Sequence, residues 1–553
     1  MTNPHDTYTS PLAARNASPE MCKIWSPRHK FTTWRKIWLA VAEAQQACGL
    51  DITDEQINEM RAHLEVTDED MVLAAKYERE LRHDVMAHVH VFGDRCPSAR
   101  GIIHLGCTSQ DVVCNADLLV LEEALQHIEL KAYKCCLALG DNAEKYSEVA
   151  TLGFTHYQAA QPTTVGRRTA GWAHDLYLSG QELLRDPVAS GGMLHIHGLR
   201  GFRGATGTQA SFLSLFNNDS NLVELFEARA VLRLLEYKDP LSIKGMTERI
   251  PILRNDHERR LKDAQERGDQ RRADGIKEII TRQDSMSIDE RLFELAKIHI
   301  ACDTFDLTGQ TYPRFYDGVY LSKLATIASV LHKIATDIRL LSNRKEIDEP
   351  FGKSQIGSSA MPYKRNPMKC ERICGLTRFV MNLVGNAYDT AATQWLERTL
   401  DDSSNRRLSL PEAFLALDGA LDLMHTVADG LIVNEAMVKR NLMAELPFMA
   451  TENIMMEAVK LGRDRQDVHE AIRVHSMAAG QVVKQEGKDN DLLDRLKSEP
   501  LLEGIDIDSH LDPMAYIGRS VEQTERFIKE VVEPMRERYS DELVSLGSAD
   551  RGV

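Results

Sequence analysis

The sequence predicts an all-α protein of three helical domains, with long helices forming a central bundle. Apolar residues recur every three to four positions through most of the 553 residues, whereas convincing alternating runs are scarce. The chain is 43% hydrophobic with only 18 prolines, a composition typical of an ordered globular protein. A chain of this length exceeds one ordinary domain, so we expect several domains and a large buried core.

The helical pattern begins with Trp34, Trp38 and Val41 and stops before Gly49. Further helical stretches are predicted at 118–139, 321–341, 411–427 and 516–535. A Gly-containing turn at 104–109 precedes one long helical region, and another long helix ends near Gly430. These boundaries predict an N-terminal helical domain at 1–108, a central long-helix bundle at 109–430 and a C-terminal helical domain at 431–553.

Two segments stand apart from this pattern. Between 232 and 290 the composition changes to dense mixed charge, and a smaller excursion lies near 186–198. A solvated helical excursion is the simpler interpretation of the charged segment, and a partner-binding site is the alternative. Its Arg–Glu spacings would stabilise surface helices by only about 0.2–0.5 kcal/mol per pair.

Charge and cysteine usage exclude several classes of function. The 67 basic and 83 acidic residues give a formal net charge of −16, which argues against sequence-independent binding to nucleic acid or to an acidic membrane surface. An anionic substrate would need a local cationic pocket. The ten cysteines include no C-x-x-C pair, and no histidine cluster has metal-ligand spacing, so we expect no metal site and no cofactor. Without a signal-like or membrane-spanning apolar run, a cytoplasmic location is expected.

The most informative polar segment is the loop at 357–368, GSSAMPYKRNPM. Gly357 permits unusual backbone angles, and Pro362 and Pro367 exclude a continuous helix between them. Donors to a carboxylate come from Lys364, Arg365 and Asn366. The segment therefore predicts a mobile anion-binding loop.

Other polar segments each have a structural and a functional interpretation. Thr108 and Ser109 are either helix N-caps or substrate contacts, since unsatisfied amides at helix ends also bind anions. His156, in the Gly-bearing segment 153–164, is either a hydrogen-bonded core histidine or a functional group. The triplet Arg82-His83-Asp84, at the middle or end of a helix, is either an ordinary charged face or part of a site.

The segment 395–407 holds three arginines and Ser403. Arginine suits bidentate recognition of phosphate, but these side chains could equally pair with Asp401 and Asp402 on a solvated helix. Taken alone, the segment leaves both alternatives open.

Three of these motifs, the Thr108-Ser109 turn, the Thr155-His156 segment and the 357–368 loop, occur in an order that resembles the fumarase/aspartase superfamily. Within it the chain is similar to the adenylosuccinate lyase family, over nearly all of its length. The closer resemblance depends on the segments 207–212, 359–367, 398–407 and 446–453.

The resemblance implies elimination of fumarate from adenylosuccinate and from succinyl-aminoimidazole-carboxamide ribotide. It implies Ser358 as the general base and His156 as the general acid that protonates the leaving nitrogen. Lys364 would stabilise the serine alkoxide and, with Asn366, would hold the succinyl carboxylate. Glu371 would orient the catalytic histidine.

The resemblance also implies a set of substrate-binding residues. Those around the succinyl and base portions are Arg82, His83, Asp84, Thr108, Ser109 and Gln209. Those of a phosphate clamp are Arg15, Arg398, Ser403 and Arg407, with Arg372 as another anion contact and Arg406 as a structural residue. Asn16 stands where the family has a tyrosine beside the phosphate, so it keeps a donor and loses the phenol.

Finally, the resemblance implies a homotetramer whose active sites are shared between subunits. Argininosuccinate lyase is the main alternative, but a phosphate clamp has no use on its substrate. A non-catalytic structural relative is the second alternative, and the presence of Ser358, His156, Lys364 and Asn366 disfavours it.

Overall fold

The computed structural model describes residues 6–184, 198–238, much of 258–285, and 304–546 apart from 306 and 353. Helices dominate these residues, as the apolar periodicity predicted. The 186–198 excursion lies almost entirely outside the described residues. Of the charged excursion at 232–290, the structure describes the part up to 238 and much of 258–285.

Among the described residues, a π-helical turn at Leu12–Asn16 and five α-helices precede the Gly-containing turn: α1 (Pro19–Ile24), α2 (Pro27–Ala47), α3 (Asp54–Ala62), α4 (Asp68–Leu81) and α5 (Asp84–Arg95). Hydroxyl side chains start the first four. Ser18, Ser26, Thr53 and Thr67 each accept a hydrogen bond from the amide three residues on. Helix α2 buries its apolar side, including Trp34, as the pattern predicted.

The middle of the chain contributes most of the long helices, together with the short α8: α6 (Ser109–Lys145), α7 (Val165–Leu184), α8 (Ala210–Leu215), α9 (Ser220–Lys238), α10 (Gln270–Ser285), α11 (Phe315–Asn343), α12 (Met368–Ala392) and α13 (Asp401–Asp429). Helix α6 packs on α7 and α13, while α12 packs on both α11 and α13. Several of these helices extend beyond the predicted stretches, because their polar ends carry no apolar periodicity.

A β-hairpin interrupts the helices and was not predicted. Strand β1 (Ala150–Thr155) pairs antiparallel with β2 (Gln158–Thr164), with an irregularity between Leu152 and Phe154. At that irregularity a Cβ on Gly153 would lie 2.5 Å from the Gln161 carbonyl oxygen, so only glycine fits. A second, two-residue pair joins β3 (Ile347–Asp348) to β4 (Ile432–Val433).

The C-terminal helices are α14 (Glu435–Lys460), α15 (Arg465–Gln481), α16 (Leu492–Lys497), α17 (Ser520–Phe527), α18 (Glu533–Arg538) and α19 (Ser540–Ser545). Buried apolar residues of α14, α15 and α16 form a small core of their own. A much larger core joins the N-terminal helices to the central bundle, and it includes residues of the last helices. The division into three domains stays a prediction.

Candidate active site

One cleft, of about 790 Å³, lies where the starts of α5, α6 and α13 meet. It gathers seven of the residues expected to bind substrate. They are His83, Asp84, Thr108, Ser109, Arg398, Ser403 and Arg407. Residues from three distant parts of the sequence therefore share one site.

The triplet at 82–84 forms the junction between α4 and α5 rather than a continuous helix. Arg82 ends α4 in the left-handed conformation with φ 57°, and its exposed side chain does not line the cleft. The Nδ1 atom of His83 accepts from the Met86 amide at 3.2 Å. A neutral His83 then carries its proton on Nε2, which lies 3.5 Å from the Ser109 hydroxyl oxygen.

Thr108 is the N-cap of α6 and Ser109 is its first residue, while the substrate-contact interpretation stays a prediction. The Thr108 amide donates to the Asp111 carboxylate at 2.8 Å, which is half of a capping box, yet both residues line the cleft. Asp111 is itself buried and paired with Arg200 at 2.5 Å. The buried pair of Asp111 and Arg200 therefore holds the first turn of α6 in place.

Of the arginines of the 395–407 segment, Arg398 pairs with Asp402, as one interpretation predicted, whereas phosphate recognition stays a prediction. Arg398 donates to Asp402 at 3.3 Å and to the Gln310 side chain at 3.1 Å, while Arg407 donates to Asp84 at 2.9 Å. Burial raises the pKa of Asp84, but the Val85 amide and Arg407 outweigh it and hold the pKa below its usual value. The arginines are thus held by acids while they line the cleft.

Eight further polar side chains line the cleft and were absent from the predicted substrate-binding set: Lys30, Gln110, Asp117, Gln310, Arg314, Asp401, Ser404 and Arg406. Arg406 has the structural role expected of it, because Asp317 and Asp117 accept from it at 2.6 and 2.9 Å. Lys30 gives no signal in the sequence, since it is one polar position of a helical pattern. Gln310 and Arg314 lie in a polar, Gly-bearing segment, and that composition could have singled them out.

The 357–368 loop borders a second cavity of about 470 Å³, which Lys364, Asn366 and Glu371 help to line. The Asn366 side chain donates to the Gly357 carbonyl at 2.8 Å and closes the loop on itself. Gly357 does not have a positive φ, so the expected reason for a glycine here was wrong. A Cβ at this position would instead lie 2.1 Å from the Lys364 carbonyl oxygen.

Ser358 is held in this loop by two backbone amides. Its hydroxyl oxygen accepts from the amides of Ala360 at 3.3 Å and Met361 at 3.2 Å. Glu371, in the first turn of α12, has a half-exposed carboxylate that lies 3.8 Å from Arg339. Within one chain, Glu371 therefore faces an arginine.

His156 occupies the tip of the β1–β2 hairpin. It is exposed and lines neither cavity. His156 and Tyr157 have φ values of 52° and 58°, the left-handed region that side chains other than glycine rarely adopt. Such strain is often kept at functional positions. The core-histidine alternative is wrong, because the side chain is not buried.

Two expected anion contacts meet at a third place, beside α13. Arg372 donates from Nε to the Asn16 side chain at 2.9 Å and from Nη2 to the Arg15 carbonyl at 3.1 Å. Burial first, and then the charge of Arg15, lower the pKa of the Arg372 guanidinium. Gln209 lies elsewhere, and its amide donates to the Phe202 carbonyl at 3.1 Å.

Among the residues that the structure describes, no group of three or more His, Cys, Asp or Glu side chains is arranged to hold a metal ion. Within the same residues, every helix is too short or too polar to cross a membrane.

Two protein-family models match the chain. One, described as Lyase, matches residues 13–193 and 310–382, and the other, described as Adenylosuccinate lyase C-terminus, matches 447–527. Among solved structures, the 3-carboxy-cis,cis-muconate lactonizing enzyme of Pseudomonas putida has a TM-score of 0.68 at 22% identity, covering 96% of this chain and 100% of its own. A fumarate lyase from Mesorhizobium sp. BNC1 has a TM-score of 0.67 at 18% identity, covering 95% and 99%. At these identities the likeness shows the fold alone.

Full-length relatives are more informative. The chain is 41% identical over 551 residues to the adenylosuccinate lyase of Saccharomyces cerevisiae, covering 98% of this chain and 99% of the relative. The Schizosaccharomyces pombe adenylosuccinate lyase is also 41% identical, with the same coverage. The Schistosoma mansoni adenylosuccinate lyase is 38% identical, covering 97% of each chain. This chain belongs to the adenylosuccinate lyase family, within the fumarase/aspartase superfamily.

Proposed function

We propose that this chain eliminates fumarate from adenylosuccinate to give AMP, and from succinyl-aminoimidazole-carboxamide ribotide to give aminoimidazole-carboxamide ribotide. The observation that carries the proposal is the likeness to adenylosuccinate lyases along the whole chain. The cleft supports it, because Arg398, Arg407 and Ser403 offer donors suited to a nucleotide phosphate.

Ser358 is the proposed general base that removes the proton from carbon. A serine hydroxyl is a poor base unless its alkoxide is stabilised. The two amides that donate to the Ser358 oxygen supply part of that stabilisation, and the Lys364 ammonium on the same loop supplies positive charge. Lys364 and Asn366 would also hold the succinyl carboxylate, on which charge builds as the carbanion forms.

His156 is the proposed general acid for the leaving nitrogen. Its exposed place on a hairpin tip suits a group that completes a site formed elsewhere. Glu371 would orient His156 once the two are brought together. Arg15 and Arg372, with Asn16, form the remaining part of the proposed phosphate site, whereas Arg82 and Gln209 stay weaker candidates because neither lines the cleft.

A homotetramer with shared active sites follows from the same proposal. In one chain, the phosphate cleft, the Ser358 loop and the His156 hairpin have separate surroundings. The long helices also expose apolar side chains that a second copy would cover, including Phe315, Leu340, Phe379 and Tyr388.

The test is an assay of fumarate release from both succinyl-purine nucleotides and from argininosuccinate. Turnover of argininosuccinate without adenylosuccinate would contradict the proposal, and no fumarate release by folded protein would favour a structural role. Ser358→Ala and His156→Ala should each lower turnover by about a hundredfold or more. Ser359→Ala is the matched control and should retain activity, because Ser359 is exposed and has no proposed role.

A further inference from the structure

Two arginines of the cleft, one buried and one largely buried, share one buried carboxylate. Asp402 has no exposed side-chain surface. Its Oδ2 accepts from Arg314 Nε at 2.7 Å, and its Oδ1 accepts from Arg398 Nη2 at 3.3 Å. Both arginines line the cleft. One carboxylate therefore sets the relative position of two guanidinium groups.

The remaining contacts of Arg314 leave its Nη1 atom without a hydrogen-bond partner among the described residues. Its guanidinium lies over the Tyr312 ring, with Cζ 4.5 Å from the centroid, so the aromatic ring occupies a face of the cation. Its Nη2 is 3.9 Å from the Cys114 sulfur, which is a weak acceptor. Neither contact satisfies the in-plane N–H groups of Nη1.

Two donors in this pair are unsatisfied. Arg314 Nη1 and Arg398 Nε are buried and have no hydrogen-bond partner among the residues that the structure describes. Buried donors are nearly always paired in folded proteins, so each such group needs an explanation. The guanidinium groups also carry two positive charges against the single charge of Asp402. Nearby Asp117 and Asp84 already pair with Arg406 and Arg407, and Asp401 is exposed.

We propose that Arg314 is a further phosphate-binding residue of the cleft, and that Asp402 is the positioning residue that fixes Arg314 and Arg398 as a pair. The ligand is a nucleoside monophosphate, an identity that rests on the proposed function. Two guanidinium groups, each planar, suit the oxygens of one phosphate. The unsatisfied N–H groups then have the acceptor that the protein itself lacks.

The test compares binding of AMP with binding of adenosine, which lacks the phosphate, by isothermal titration calorimetry. Arg314→Gln should weaken AMP binding by about tenfold to a hundredfold, the range for one hydrogen bond to a charged group, and should leave adenosine binding unchanged. An unaltered preference for AMP in this variant would overturn the proposal. If the wild-type protein binds AMP no better than adenosine, that result contradicts the proposed function itself and not only the role of Arg314.

Asp402→Asn tests the positioning role. The Michaelis constant for adenylosuccinate should rise by about tenfold with little change in kcat, because the arginines lose their shared anchor. Asp402→Asn should raise the Michaelis constant by a smaller factor in the Arg314→Gln variant than in the wild type, since part of its effect passes through Arg314. Strictly additive losses would show that Asp402 does not act through Arg314.

A buried charge pair that does not line the cleft provides the matched control. Arg35 and Asp70 are as buried as Arg314 and Asp402, and they pair at 3.0 Å. Asp70→Asn should lower the melting temperature and leave the preference for AMP over adenosine unchanged. If Arg314→Gln does not fold, Arg314→Met combined with Asp402→Asn removes both charges together, and the same preference is measured.

Discussion

At the scale of single residues, Gly357 shows how a close backbone contact selects glycine. A Cβ there would lie 2.1 Å from the Lys364 carbonyl oxygen and 3.2 Å from the Phe351 ring. Gly357→Ala should therefore displace the loop and lower turnover by about tenfold or more, because small displacements of catalytic groups are costly. The melting temperature should change little, since the loop is largely exposed.

Gly352→Ala is the control for that substitution. The nearest atom to a Cβ at Gly352 is 3.5 Å away, an ordinary contact, so activity should be retained. Equal activity of the two alanine variants would show that the Gly357 contact does not position the loop. Steady-state turnover of adenylosuccinate and thermal melting of both variants provide the measurements.

The cleft residues also show how far sequence reasoning reached. Arg15, Arg398, Ser403 and Arg407 were predicted to form a phosphate clamp. The structure places the last three in one cleft, whereas Arg15 lies beside Arg372. Lys30 was missed because a lysine on a helix is ordinarily solvated. Its pKa is lowered chiefly by burial, with Asp117 opposing that effect. Burial depends on neighbours that are distant in sequence, so no local pattern reports it.

At the scale of elements, Asp418 joins three of them. Its carboxylate accepts from the Ser18 amide and hydroxyl at 2.5 and 3.0 Å, lies 3.2 Å from His127, and binds Lys131. These contacts fasten the start of α1 to α6 and α13. Burial raises the pKa of Asp418, but the hydrogen bond from His127 and the charge of Lys131 outweigh it and bring the pKa to about 2.

Asp418→Asn should lower the free energy of unfolding at pH 7 by about 3 kcal/mol, the low end for a broken buried pair, because Asp422 still contacts Lys131 at 2.8 Å. The stability from the carboxylate is present above its usual pKa of 3.8 and is lost as the pH falls toward 2. Denaturant unfolding at pH 7 measures the change. Glu470→Gln, at an exposed ion pair, is the control and should have no effect. An Asp418→Asn variant that unfolds at the same denaturant concentration as the wild type would contradict the proposed role of Asp418 in joining these helices.

A second element contact, between α6 and the C-terminal helices, predicts a pH dependence. Tyr133 donates to the buried Glu129 carboxylate at 2.8 Å, and its ring packs 4.9 Å from that of Tyr539. Burial raises the pKa of Glu129 from 4.5 to about 7, with the Tyr133 hydrogen bond opposing it. Between these values the folded protein holds a proton that the unfolded chain releases. Stability contributed by this group therefore falls as the pH rises from 4.5 to 7.

Glu129→Gln should remove the loss of stability that occurs when the Glu129 carboxyl group is deprotonated. The variant should be more stable than wild type at pH 8, on the order of 3 kcal/mol since one pKa unit corresponds to about 1.4 kcal/mol, and close to wild type at pH 4.5. Thermal melting at both pH values measures the difference. Glu144→Gln, at an exposed position of α6, is the control and should show no pH-dependent gain. A gain that is equal at both pH values would exclude titration of Glu129.

At the scale of the whole molecule, the proposed tetramer predicts complementation. His156→Ala and Ser358→Ala subunits are each expected to be inactive alone. If a site takes these two residues from different subunits, random mixed tetramers should recover about a quarter of wild-type activity. Unfolding and refolding the two variants together, followed by the fumarate assay, measures the recovery.

The control for complementation is to mix each inactive variant with itself by the same procedure. Activity in those samples should stay at the level of the single variant. A mixture of the two variants with no recovery would show that each site draws His156 and Ser358 from one chain, and the proposal of shared sites would fail.

Local signals in the sequence were enough to predict most of the helices and the family of this protein. Apolar periodicity predicted the helices, Ser and Thr caps agree with their starts, and the motif residues indicated the family to which the chain belongs. These features depend on neighbours within a few residues, so one sequence is enough to read them. The β1–β2 hairpin was missed because its short strands carry no clear alternation.

Which distant residues meet became visible in the folded chain. It placed His83, Ser109 and Arg407 in one cleft, left His156 on an exposed hairpin, and showed that Asp402 is buried between Arg314 and Arg398. The physical reason is that burial, ion pairing and the shape of a cavity come from the packing of helices far apart in the chain. No local pattern in the sequence encodes those contacts, although the same residues form both the local patterns and the contacts.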